Sequence, residues 1–174
     1  YLYSKFLKKF ALIGNLIISS CIGLSIFLIS LFEYPPGSLI EIIPHIEFPR
    51  SAILFYVKFS FIATFIREII KDIEDINGDY AANMNTLPIL IGIKRTTYFL
   101  LVVTFIFLYF LSRNIQVIII DGSLSLNNSI IILVVPILYF FYKLLHAKTR
   151  KAYTYLSNFM KFIMLLGILT MIPF

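Results

Sequence analysis

Long apolar runs alternate with short polar stretches along this chain. Five runs stand out: about Ala11 to Phe32, Ser51 to Ile70, Thr96 to Leu111, Ser129 to Leu145, and Leu156 to Pro173. Each reaches or approaches the roughly 20 residues that an α-helix needs to cross a hydrocarbon core. Bare backbone polar groups are costly in lipid, so helices are the default for such segments. A transmembrane β-barrel would instead show alternating segments of about ten residues, and none is read here. The pattern predicts an all-α fold, a polytopic bundle of five membrane helices.

Composition strengthens this reading. The 174 residues are 60% hydrophobic and only 14% charged, against about half and a quarter in an ordinary soluble domain. Mean hydropathy is +0.93. The net charge of +6 invites a nucleic-acid partner, but the basic residues do not share one polar face. They sit at the ends of the apolar runs, so no nucleic-acid partner is expected. Lys5, Lys8 and Lys9 precede the first run. Arg67, Lys71, Lys94 and Arg95 lie between the second and third, and Lys143, Lys148, Arg150 and Lys151 between the fourth and fifth. If all five runs span, these regions face one side and the other carries only Arg50 and Arg113. The positive-inside rule makes the basic side cytoplasmic. Lys58 and Lys161 lie within apolar runs, where a lysine either snorkels to the headgroups or faces a polar cavity. The lone Cys21 is read as a small residue in an apolar run.

The opposite side carries the proline-rich "EYPPGSLIEIIPHIEFPR" and a turn signal at Asp121-Gly122. His45 and His146 are read as interfacial residues without catalytic partners.

The candidate chemistry lies in "IIKDIEDINGDYAANMNTLP", residues 69 to 88, which holds Asp72, Glu74, Asp75 and Asp79 of the nine acidic residues. If the second helix continues past Ile70, then Arg67, Lys71, Asp75 and Asp79 are spaced by four and form one stripe. Glu68 and Asp72 begin a neighbouring stripe. Asn77 and Gly78 are expected to loosen the helix near Asp79. Mg²⁺ takes one or two carboxylates and completes its shell with water and phosphate oxygens. Cations beside the acids suit a diphosphate better than a bare metal. The alternative is a solvated, charge-patterned loop. The spacing does not fit an EF-hand.

The stretch "REIIKDIEDINGDYAANMNTLPILIGIKR" resembles the second aspartate-rich motif of the UbiA family of intramembrane prenyltransferases. Asp75 and Asp79 match its Asp-x-x-x-Asp, and Asp72 matches the acid found just upstream. "YSKFLKKFALIGNLIIS" is similar to the start of the family's fifth helix, with Lys8 at the motif lysine. Ser4 stands where the family has tyrosine, and Tyr3 is one position off. "SNFMKFIMLLGIL" is similar to the opening of the last helix, with Lys161 in its usual place.

The resemblance implies that the five runs match helices five to nine of a nine-helix fold. Residues 1–174 would form a single domain incomplete at its N-terminus, because the first motif, Asn-Asp-x-x-Asp, is not in this sequence. It also implies Mg²⁺ held by Asp72, Asp75 and Asp79, with Asp75 and Asp79 catalytic. Tyr3, Lys8, Arg67, Lys71 and Lys161 would bind the isoprenyl diphosphate. The acceptor would be geranylgeranylglyceryl phosphate, in ether-lipid synthesis, or an aromatic 4-hydroxybenzoate or naphthoate of quinone synthesis. The location implied is a bacterial or archaeal cell (inner) membrane with the site on the cytoplasmic side. Two readings of other kinds stand beside it: a non-enzymatic carrier or ion-binding bundle, and a truncated half without activity of its own.

Overall fold

A computed structural model describes residues 12–33, 50–121 and 124–170, and among these every regular element is helical. The helices are α1 (Ile13–Glu33), α2 (Arg50–Glu74), α3 (Ile76–Ala81), α4 (Leu87–Ile91), α5 (Ile93–Asp121), α6 (Leu124–Leu145) and α7 (Arg150–Leu169). The long helices follow the five apolar runs, with shifted ends. Tyr3, Lys8, His45, residues 34–49 of the proline-rich stretch and Gly122 lie outside the described residues.

The shifts have local causes. α7 begins at Arg150 rather than near Leu156, because Thr149 caps it: its backbone is extended, and its side chain accepts from the Ala152 amide. A capping threonine supplies an acceptor for one of the orphan amides of the first turn. α5 keeps its helix through residues 112–121, ten residues beyond the run's end at Leu111 and past polar Ser112 and Arg113. α6 carries Pro136 inside it, where the ring removes one backbone donor.

The core is built from stripes spaced alternately three and four apart. On α2 it runs Phe59, Ala63, Ile66, Ile70, Ile73; on α6, Leu133, Ile137, Phe140, Leu144; on α7, Tyr153, Leu156, Met160, Ile163. This spacing keeps one face of a 3.6-residue helix toward its neighbour and suits packing at small crossing angles. α2 is the hub and packs against α1, α5 and α7, while α6 bridges α5 and α7. At the α2–α7 crossing, a Cβ on Gly167 would lie only 2.9 Å from Phe59 Cζ. The Tyr56 hydroxyl donates to the Thr170 carbonyl at 3.0 Å and ties the far end of α7 to α2.

The outward faces are apolar too. α5 exposes Val102, Phe105 and Ile106, and α7 exposes Phe162, Leu165 and Ile168. A helix apolar all round belongs in lipid or inside a larger bundle. By length and apolarity, Ile93–Asn114 and Arg150–Leu169 suffice to cross a membrane. Ile13–Ile29 and Ile132–Leu145 are apolar but shorter.

Candidate functional site

The acidic stretch forms the end of α2 and the turn beyond it. α2 ends at Glu74 and α3 begins at Ile76, with Asp75 between them at φ −95°, ψ 10°. The i→i−4 bonding nevertheless continues across the break: the Asp75 amide donates to the Lys71 carbonyl at 2.9 Å, and the Asp79 amide to the Asp75 carbonyl at 3.0 Å. Lys71, Asp75 and Asp79 therefore stay in helical register, as their spacing predicts. The loosening falls elsewhere than expected. Asn77 and Gly78 lie inside α3, and the interruption comes earlier, at Asp75.

What ends α3 is Asn83, at φ 50°. Asparagine tolerates this left-handed conformation. The Met84 amide donates to the Asp79 carbonyl at 2.9 Å, and the Asn83 amide to the Tyr80 carbonyl at 3.1 Å. This pair of bonds is a Schellman motif, and it engages the backbone carbonyl of Asp79 itself. The chain then enters α4, with Pro88 in its first turn, and leaves it at Gly92, at φ 85° and ψ 153°.

The four residues of the expected stripe differ in environment. Asp79 is buried, with 7% of its surface exposed, whereas Lys71 and Asp75 are exposed. Arg67 is engaged by its neighbour, Nη1 lying 2.6 Å from Glu68 Oε1, with both side chains partly buried. Its charge is therefore largely compensated, and Lys71 is the more available cation. Asp72 Oδ2 accepts from Nδ2 of Asn15, on α1, at 2.7 Å.

Of the other expected members of the site, Tyr3 and Lys8 lie outside the described residues. Lys161 is exposed and donates to Asn158 Oδ1 on its own helix at 3.1 Å. Lys58 is exposed on a mostly apolar groove of about 480 Å³ lined also by Ser20, Leu24, Phe61 and Phe110. Sequence reasoning passed over Asn15. The signal that could have found it is a carboxamide in the first turn of an apolar helix, a residue type that demands a buried partner.

Among the described residues, no three His, Cys, Asp or Glu side chains gather into a preformed metal cluster. This does not oppose Mg²⁺, which needs only one or two carboxylates when phosphate oxygens complete its shell. The expected donor set, Asp72, Asp75 and Asp79 on three successive turns of nearly continuous helix, is all oxygen. Its chemistry fits a hard divalent cation.

Comparisons with known proteins identify relatives of this chain. The model of the UbiA prenyltransferase family matches residues 1–166. A digeranylgeranylglyceryl phosphate synthase from Sulfurisphaera tokodaii is 33% identical over 140 residues, which cover 77% of this chain and 46% of that protein. The synthase of the same name from Thermococcus kodakarensis is 59% identical over a shorter 39 residues, 22% of this chain and 14% of that one. A solved structure described as "Structural and mechanistic insights into the biosynthesis of Digeranylgeranylglyceryl phosphate synthase in membranes" superposes with a TM-score of 0.71 at 26% identity, covering 98% of this chain and 55% of that chain. The chain thus spans less than half of the first of these relatives and little more than half of the solved structure. It belongs to the UbiA prenyltransferase family.

Proposed function

We propose that the protein to which this chain belongs transfers a prenyl group from an isoprenyl diphosphate to a membrane-associated acceptor, geranylgeranylglyceryl phosphate, in the synthesis of ether lipids. The chain would form helices five to nine of the family's bundle, all five long helices spanning the cell membrane of a bacterium or archaeon, with the aspartate turn on the cytoplasmic side. The observation that carries this reading is the helical register kept from Lys71 through Asp75 to Asp79 across the end of the hub helix. The names of the relatives support the choice of acceptor.

In the transfer, the bond from C1 of the prenyl group to the diphosphate oxygen breaks, and the diphosphate leaves with the electron pair. The allylic carbon is then attacked by the acceptor hydroxyl, whose proton passes to the departed diphosphate. Mg²⁺, when bound by Asp72, Asp75 and Asp79, supplies charge neutralisation for the leaving diphosphate. Lys71, and Lys8 from the segment before α1, add positive charge around the same phosphates. Arg67 contributes less, because Glu68 already holds it. Lys161 would approach the diphosphate from α7. The apolar bundle excludes water, which would otherwise capture the allylic cation.

The test is a transfer assay on the full-length protein in detergent, with isoprenyl diphosphate and the glyceryl phosphate acceptor. Asp75→Ala and Asp79→Ala are each expected to lower Mg²⁺-dependent transfer by 100-fold or more, the scale of removing a principal electrostatic stabiliser. Undiminished transfer in the double variant would refute the metal role. Transfer to 4-hydroxybenzoate but not to the glyceryl phosphate would replace the acceptor.

A further inference from the structure

Asn15 is a buried carboxamide, 8% exposed, in the first turn of a mostly apolar helix. Its Nδ2 reaches across to Asp72 Oδ2, 57 residues away, at 2.7 Å. The turn that carries it is secured from below, because the Ser19 hydroxyl donates to the Asn15 carbonyl at 2.6 Å and is itself fully buried. A buried carboxamide without a partner costs several kcal/mol in apolar surroundings, so its place opposite a carboxylate is strongly specified.

The chemistry of this partner is informative. An ionised carboxylate offers about four acceptor positions, and a single N–H takes one of them. A lysine here would orient Asp72 but also cancel its charge. An asparagine orients the carboxylate and brings no charge of its own. As a simple tie between helices the bond is largely redundant. α1 and α2 already pack closely lower down, where a Cβ on Gly23 would meet Phe61 Cβ at 3.6 Å.

We infer that Asn15 is a positioning residue of the metal site: its amide fixes the orientation in which Asp72 presents its carboxylate to a divalent cation. The inference rests on the reading of Asp72 as a metal ligand given above. Groups that orient a ligand from behind typically change metal affinity by 10- to 100-fold when removed.

The experiment measures Mn²⁺ binding by electron paramagnetic resonance, together with thermal unfolding, on the full-length protein in detergent. Asn15→Leu, close in shape but without the donor, is expected to weaken Mn²⁺ binding about tenfold or more. Asn15→Gln, which keeps the donor on a longer arm, is expected to recover part of that loss. In turnover, Asn15→Leu should raise the metal concentration needed for half-maximal rate and leave the rate at saturating metal nearly unchanged. A purely structural tie would lower the unfolding temperature and leave Mn²⁺ affinity unmoved. If Asn15→Leu does not fold, Asn15→Ala takes its place with the same expectation. Mn²⁺ affinity within twofold of the parent in the donor-less variant, alongside a tenfold loss in Asp72→Asn, overturns the inference alone. Parental affinity in Asp72→Asn overturns the reading of Asp72 as a ligand, and the inference with it.

Discussion

At Gly167, α7 lies close against Phe59 of α2, and its substitution tests the packing that holds the aspartate-bearing helix. A Cβ there would lie 2.9 Å from Phe59 Cζ, 3.3 Å from Cδ1, and closer still to Cε1. Carbon atoms pack best at about 3.5–4.0 Å, so the ring must move by more than half an ångström. Phe59 has little room to do so. It is buried, stacked on Phe55 at 6.1 Å between centroids, and tilted against Phe107 at 5.5 Å. Overpacking of this kind costs about 1–3 kcal/mol. Alanine recovers about 1 kcal/mol of helix propensity relative to glycine. Gly167→Ala should therefore destabilise the bundle by up to about 2 kcal/mol, which lowers the unfolding temperature of a protein this size by up to roughly 8 °C. The assay is thermal unfolding in detergent of Gly167→Ala, Phe59→Leu and the double variant. The two substitutions share a contact, so their effects should not add, and the double variant should recover much of the cost of the alanine. An unfolding temperature for Gly167→Ala above the parent's, or strict additivity in the double variant, would refute the argument.

Two further outcomes follow from backbone and polar burial. Gly92 joins α4 to α5 at φ 85°, ψ 153°, with open space around its Cα. Only conformation opposes a side chain there, so Gly92→Ala should cost about 1–3 kcal/mol, and a neutral result in thermal unfolding would contradict the assigned backbone. Thr64 is 1% exposed, and its hydroxyl has no hydrogen-bond partner among the described residues. Thr64→Val removes a buried, unsatisfied group at nearly constant shape and should stabilise by about 1 kcal/mol; a lower unfolding temperature would show that the hydroxyl has a partner in solution.

How far the chain could be read without its fold differs from element to element. The apolar runs located all five long helices because membrane-type helices declare themselves by composition over about 20 residues. Their ends were less legible. The start of α7 depends on one side-chain bond at Thr149, and α5 persists through Ser112 and Arg113, which a hydropathy pattern scores as a boundary. The aspartate stripe was visible as a four-residue spacing, and local hydrogen bonds preserve it through the break at Asp75. The place of that break was not visible, because Gly78 is the more obvious weak point and yet remains helical.

The sequence by itself determined what is local: the helical class, the apolar surfaces, and the periodic placing of Lys71, Asp75 and Asp79 on successive turns. All of these follow from side-chain type and the 3.6-residue repeat. Only the tertiary structure decided which acids are exposed and which are held. Burial of Asp79, capture of Arg67 by Glu68, and the bond from Asn15 to Asp72 depend on rotamers and on how α1 lies against α2. The partners in that last bond are 57 residues apart, and no periodicity within one helix carries information about the face that another helix presents to it.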